Sequence, residues 1–92
     1  MRVEILFRPD ALARRGYSLD RAIQVVRRVF ARYGLKCTVQ PGGLTAYGSG
    51  SGDFSSLWRV LMALLRSGWF PDCTEQCLWY DEDGTADRKS VV

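Results

Sequence analysis

Apolar positions recur along this chain with two different spacings, and their alternation divides it into two halves of the same form. Val3, Ile5 and Phe7 alternate with Arg2, Glu4, Leu6 and Arg8, the period of a half-buried strand, and Pro9-Asp10 ends it. Leu19, Ala22, Ile23, Val26, Val29, Phe30 and Tyr33 then return at helical spacing, behind Ser18 as N-cap and with Asp20 in the first turn. Gly34 stands where a left-handed C-cap belongs. Leu35, Cys37 and Val39 alternate with Lys36, Thr38 and Gln40. Residues 3–8, 18–33 and 36–40 therefore predict strand, helix and strand.

The second half repeats that order. Pro41-Gly42-Gly43 predicts a tight reversal, so 44–49 should return as a hairpin partner. The Gly-Ser run 48–52 breaks the strand. Asp53 is the expected cap of a helix over 53–67, with a buried stripe of Phe54, Leu57, Trp58, Leu61, Leu64 and Leu65, closed by Gly68. Trp69-Phe70-Pro71 is an apolar connection expected to tuck under the sheet edge. Residues 76–80 make the last strand, whose register stays open because either Trp79 or Tyr80 could face the core. The expected domain is 1–80, with 81–92 a disordered tail, acidic and then basic.

Right-handed crossovers place both helices on one side of the sheet. The βαββαβ order then predicts an α+β sandwich, a four-stranded antiparallel sheet in the order 4-1-3-2 with two helices on one face. This pattern resembles the ferredoxin-like sandwich. The resemblance is one of fold pattern, and because that fold hosts many unrelated functions it implies no activity.

Charge sharpens the picture. The net charge of +3 hides an asymmetry: residues 1–36 hold nine basic and three acidic residues, whereas 71–92 hold two basic and six acidic ones. Eleven of the thirteen basic residues are Arg, which suits planar phosphate, carboxylate and aromatic contacts, although a GC-rich coding bias favours Arg as well. The longest apolar stretch is interrupted by Arg59 and is too short to span a membrane, so no membrane partner is expected. Met1-Arg2-Val3-Glu4 has no signal-peptide core, which points to the cytoplasm.

Catalytic chemistry finds little support. There is no histidine for general acid–base work, and no pair of carboxylates shares one element. Cys37, Cys73 and Cys77 are an odd count without a secretory signal, which argues for reduced thiols. Cys73-x-x-x-Cys77 lacks further ligands for a metal, and no cofactor is expected.

Binding could use three places. On the open sheet face, Leu6, Arg8, Tyr47, Leu78 and Tyr80 are expected close together, a mixture suited to a protein interface. RNA modules stack bases on the same surface, but here the first strand offers Leu6 instead of an aromatic. Secondly, segments 9–17 and 48–53 are expected at one end of the sheet, where Arg14, Arg15, Gly50 and Gly52 would hold an anion. Thirdly, Arg21, Arg28 and Arg32 line the outer face of the first helix, to attract an acidic protein surface or a nucleic-acid backbone. The expectation is a non-enzymatic binding protein whose partner is another protein or a second copy. The alternatives are an RNA- or single-stranded-DNA-binding module and a dimeric domain that senses a small anion.

Overall fold

The computed structural model describes residues 2–48, 50–80 and 88–90, with the backbone alone at 50–54 and 88–90. Strand β1 (Arg2–Phe7) leads into a short helix α1 (Pro9–Arg14) and the long helix α2 (Leu19–Arg32). Strands β2 (Lys36–Gln40) and β3 (Gly43–Tyr47) form a hairpin. Helix α3 (Gly50–Arg66), a single turn α4 (Phe70–Cys73), strand β4 (Thr74–Tyr80) and strand β5 (Arg88–Ser90) follow. The result is α+β, an open antiparallel sheet with helices.

The sheet runs β2-β3-β1-β4-β5, every neighbouring pair antiparallel. Read from β4, its first four strands are neighbours as expected. The correction is the fifth. Residues 88–90 fall in the segment expected to be disordered, yet they pair with β4, Leu78 opposite Ser90 and Tyr80 opposite Arg88. Residues 81–87 and 91–92 of that tail lie outside the described residues.

Each element has a local cause. The hydroxyl of Ser18 accepts a hydrogen bond from the Arg21 N–H at 3.2 Å, the N-cap bond its position predicts. Pro41 and Gly42 occupy the two turn positions of the β2–β3 hairpin, and Gly42 sits at φ +81°. Proline fixes its own φ near −65°, and only glycine takes the following positive φ without strain. Gly43 is needed for a different reason. A Cβ there would collide with the Ile5 carbonyl, because β1 and β3 approach closely at the Ile5–Leu44 and Leu6–Gly43 rungs.

Two elements depart from expectation. Segment 9–17 forms α1, with Pro9 in its first turn, Asp10 bonded to Arg14 one turn on, and Leu12 fully buried. Helix α3 begins at Gly50, three residues before the expected cap. The Asp53 side chain lies outside the described residues.

The core fills the space between one sheet face and the helices. Val3, Ile5 and Phe7 of β1 pack with Leu44, Ala46, Cys77 and Trp79 of the neighbouring strands, with Ala22, Ile23, Val26 and Phe30 of α2, and with Leu57, Val60, Leu61 and Leu64 of α3. Trp58, expected in the buried stripe, is instead about half exposed and meets Trp79 edge-on, ring centres 6.0 Å apart. At the end of β1 the ring of Phe7 stacks on Trp69 and meets Phe70 edge-on. A one-residue bulge between Leu6 and Phe7 in the β1–β4 pairing moves Phe7 opposite Thr74. The Thr74 hydroxyl, itself buried, donates to the Phe70 carbonyl at 2.6 Å. The α4 turn therefore plugs one end of the sandwich.

Replacing Phe70 by Ala removes a fully buried ring from that plug and should cost about 3–5 kcal/mol in urea denaturation. Gly43→Ala should cost about 1–3 kcal/mol through the clash with the β1 backbone, although it adds only a methyl group. An unchanged midpoint for Gly43→Ala would contradict the close approach of β1 and β3.

Candidate functional site

Antiparallel pairing decides which candidate residues meet. Because β3 runs against β1, Tyr47 at the end of β3 lies opposite Arg2 at the start of β1, and Leu6 lies opposite Gly43. Leu6 and Tyr47 are therefore not adjacent, as the sequence reading had them. On the other side of β1, Tyr80 pairs with Arg2 and Leu78 with Glu4. The register of β4 is thus settled: Cys77 and Trp79 face the core, Leu78 and Tyr80 the open face. Arg8 leaves the sheet altogether and sits at the N-cap of α1, where its backbone N–H donates to the Cys73 carbonyl.

The open face satisfies much of its own polarity. The Arg2 guanidinium lies 4.3 Å from the centre of the Tyr80 ring and 3.8 Å from the Glu4 carboxylate. The Thr45 hydroxyl, buried in mid-sheet, donates to the Gln40 side chain at 3.0 Å. Leu6 and Leu78 are only partly exposed, and Tyr47 is the one large hydrophobic of this face that stands well out. Arg2 belongs to this group, and sequence reasoning missed it because it took the residue merely as the start of an alternating pattern.

The expected anion site is not assembled. The same antiparallel pairing puts segment 9–17 and segment 48–53 at opposite ends of β1 and β3, roughly 17–20 Å apart. Both arginines of the first segment already hold carboxylates. Arg14 pairs with Asp10 at 3.0 Å, and Arg15 reaches across to Asp72 at 2.7 Å. Gly50 and Gly52 are helical residues of α3, so they do not form a loop that wraps a ligand.

The outer face of α2 is arranged as expected and extends further. Arg21, Arg28 and Arg32 are exposed, and among the described residues none has a carboxylate within ion-pair distance. Val25, also exposed, falls between them at helical spacing. One turn before Arg21, Tyr17 meets Trp69 edge-on at 6.2 Å. Tyr17, Arg21, Ala22, Val25 and Trp69 together line an apolar groove of about 210 Å³. A second groove, of about 450 Å³, lies at the β2 edge among Arg27, Ala31, Leu35, Lys36, Cys37, Thr38 and Tyr47.

Two of the thiols, Cys37 and Cys77, are held protonated. Burial pushes Cys77 up to about 12 from an ordinary 9.0, and it pushes Cys37 up to about 11 against the opposing pull of the Arg27 charge. A thiolate is the nucleophile, so such shifts work against covalent catalysis. Among the described residues no group of three or more His, Cys, Asp or Glu is placed to hold a metal ion, and no helix is long and apolar enough to cross a membrane. In comparisons with known proteins, no family model, characterised protein or solved structure matches this chain.

The raised Cys77 value has a signed consequence. The unfolded thiol ionises near 9.0 while the folded one stays neutral to about 12, so the unfolded chain binds fewer protons in that window. The stability that comes from burying Cys77 is intact below pH 9 and is lost as pH rises toward 12. Urea midpoints measured from pH 8 to pH 10.5 should fall more steeply for the wild type than for Cys77→Val. Parallel slopes would contradict burial of the neutral thiol.

Proposed function

We propose that this chain is a non-enzymatic binding module, working in the cytoplasm, that docks an acidic surface of a partner protein on the outer face of α2. The observation that carries the reading is the row Tyr17, Arg21, Val25, Arg28 and Arg32. Three guanidinium groups without carboxylate partners among the described residues continue an apolar, aromatic-walled groove along one exposed side of a single helix. Charged groups of one sign steer an oppositely charged partner, and a groove of this size receives one large apolar side chain as anchor. The open sheet face supports the reading less well, since Arg2, Glu4, Tyr80, Gln40 and Thr45 already engage one another. The neighbour order β2-β3-β1-β4 with α2 and α3 against one face supports a ferredoxin-like sandwich, here extended by β5 and by two short helices.

Nucleic acid is the competing partner, because phosphates would be drawn to the same arginines. One geometric point weighs against it. The stacking candidates Tyr47 and Tyr80 lie on the open sheet face, whereas the α2 arginines point away from the helix layer, so no single surface joins them. Small-anion sensing loses its support with the separation of segments 9–17 and 48–53.

Affinity capture on the immobilised chain, with and without nuclease, tests the reading. A defined acidic protein should survive nuclease, be lost with Arg21→Glu/Arg28→Glu/Arg32→Glu, and persist with Tyr47→Ala. Each charge reversal should weaken binding by about 1–2 kcal/mol, with the loss smaller in high salt. Recovery of nucleic acid that nuclease removes would replace the protein partner, and loss of capture with Tyr47→Ala alone would move the interface to the sheet.

A further inference from the structure

The geometry points to a second docking surface at the β2 edge, where we infer that an acidic, extended peptide segment of a partner adds as a further strand. Among the described residues strand β2 is the outermost strand on its side of the sheet and pairs only with β3. Its outer edge therefore presents backbone N–H and C=O groups with no strand beside them, the template that strand addition uses. A single lysine is all that blunts this edge. There is no proline within it, the five rungs to β3 run without a bulge, and Lys36 is its only charged residue.

The groove beside that edge says what the segment should carry. Alternate residues of an added strand point to opposite faces. On the helix side they would meet Ala31, Leu35 and Cys37, an apolar floor, and Val39, which is 47% exposed although its cross-strand partner Leu44 is buried. Arg27 and Lys36 stand at the rim, and no carboxylate lines the groove. Arg27 is close enough to Cys37 to draw its thiol pKa downward against burial. Two cations without counter-charges among the described residues, beside an apolar floor and a free edge, fit a strand in which Asp or Glu alternates with apolar residues. The same cations disfavour a second copy of the chain. An antiparallel β2–β2 seam centred on Thr38 would set each Lys36 opposite Gln40 of the other copy, and β2 carries no acid to meet either Lys36 or Arg27. This surface is separate from the α2 row, so each can fail without the other.

The test is a displayed library of random peptides of about nine residues, long enough to cover the edge strand, selected on the full chain at low salt. Enriched sequences should alternate Asp or Glu with Val, Ile or aromatic residues. A synthetic copy of the enriched peptide should slow amide hydrogen exchange at 36–40. It should bind Arg27→Glu/Lys36→Glu about tenfold or more weakly, and bind Arg21→Glu/Arg28→Glu/Arg32→Glu as it binds the wild type. Rungs 36–47, 38–45 and 40–43 turn the backbone of 36, 38 and 40 toward β3, so the free edge carries the N–H groups of Cys37 and Val39. Val39→Pro should therefore also abolish binding wherever its melting curve shows that it still folds. If Val39→Pro unfolds the chain, the charge-reversal pair, which touches only exposed rim residues, decides the matter. Absence of enrichment, enrichment of basic or unpatterned sequences, protection on α2 in place of β2, or indifference to the charge reversal would each overturn the proposal. A concentration-dependent doubling of mass in the free chain, with exchange at 36–40 slowed by dimerisation, would assign the edge to a second copy and overturn it as well.

Discussion

Strand β1 is hydrogen-bonded on both sides, to β3 and to β4, and its alternate residues supply the middle of the core. Val3, Ile5 and Phe7 are its inward set, each almost wholly removed from water. With a side-chain period of two, a slip of one residue would turn these three to solvent and bring Arg2, Glu4 and Leu6 inward. Burying Glu4 in that space would cost several kcal/mol on its own. The register of both flanking strands therefore depends on a hydrophobic alternation only six residues long. Gly43 enforces it on one side by steric need, and the bulge at Leu6/Phe7 adjusts it on the other so that Phe7 reaches Trp69 and Phe70.

The antiparallel sense of β1 and β3 has a further consequence for chemistry. In a parallel sheet the segments that follow successive strands gather at one end, and ligand sites form where they meet. Here the exits of β1 and β3 lie at opposite ends, so Arg14 and Arg15 cannot combine with the Gly-rich start of α3. What the topology leaves is surfaces: a helix face, a sheet face and a strand edge, each facing its own direction. Such an arrangement suits several weak or modular contacts better than it suits an enclosed pocket.

Much of the fold was legible because the signals were local. The Ser18 cap, the Pro41-Gly42 turn and the stripe of α2 each depend on residues within a few positions of one another, and each formed as predicted. Helix α1 is equally local, with Pro9 in its first turn and Gly16 at φ +77° just past its end, but a proline after a strand signals a strand stop as readily as a helix start. The remaining misses concern relations between distant residues. Which of Trp79 and Tyr80 faces inward depends on pairing with β1, as does the meeting of Arg2 with Tyr80. The exposure of Trp58 depends on how the middle of α3 meets Trp79 of β4, and the Arg15–Asp72 pair joins residues 57 positions apart. Of the candidate sites, the α2 row could be read from helical spacing alone, whereas the groove that Trp69 completes could not.

The carboxylates show what the fold itself requires of its charges. Glu4 serves Arg2, Asp10 serves Arg14, Asp72 serves Arg15, and Asp20 sits in the first turn of α2, where the helix dipole favours it. Among the described residues no carboxylate is spent on the outer row of α2. Arg28 and Arg32 stand one turn apart, a like-charge spacing that costs an isolated helix about 0.2–0.5 kcal/mol. A glutamate at either position would turn that cost into a similar gain, as Asp10 and Arg14 achieve in α1. Folding alone thus gives no reason for the row, because it adds repulsion and buries nothing. The acidic partner proposed for α2 would supply one, since the same repulsion, relieved on docking, would become part of the attraction. Ionic strength would then act in opposite directions on the two states: salt screens the repulsion in the free chain and would weaken the attraction in that complex.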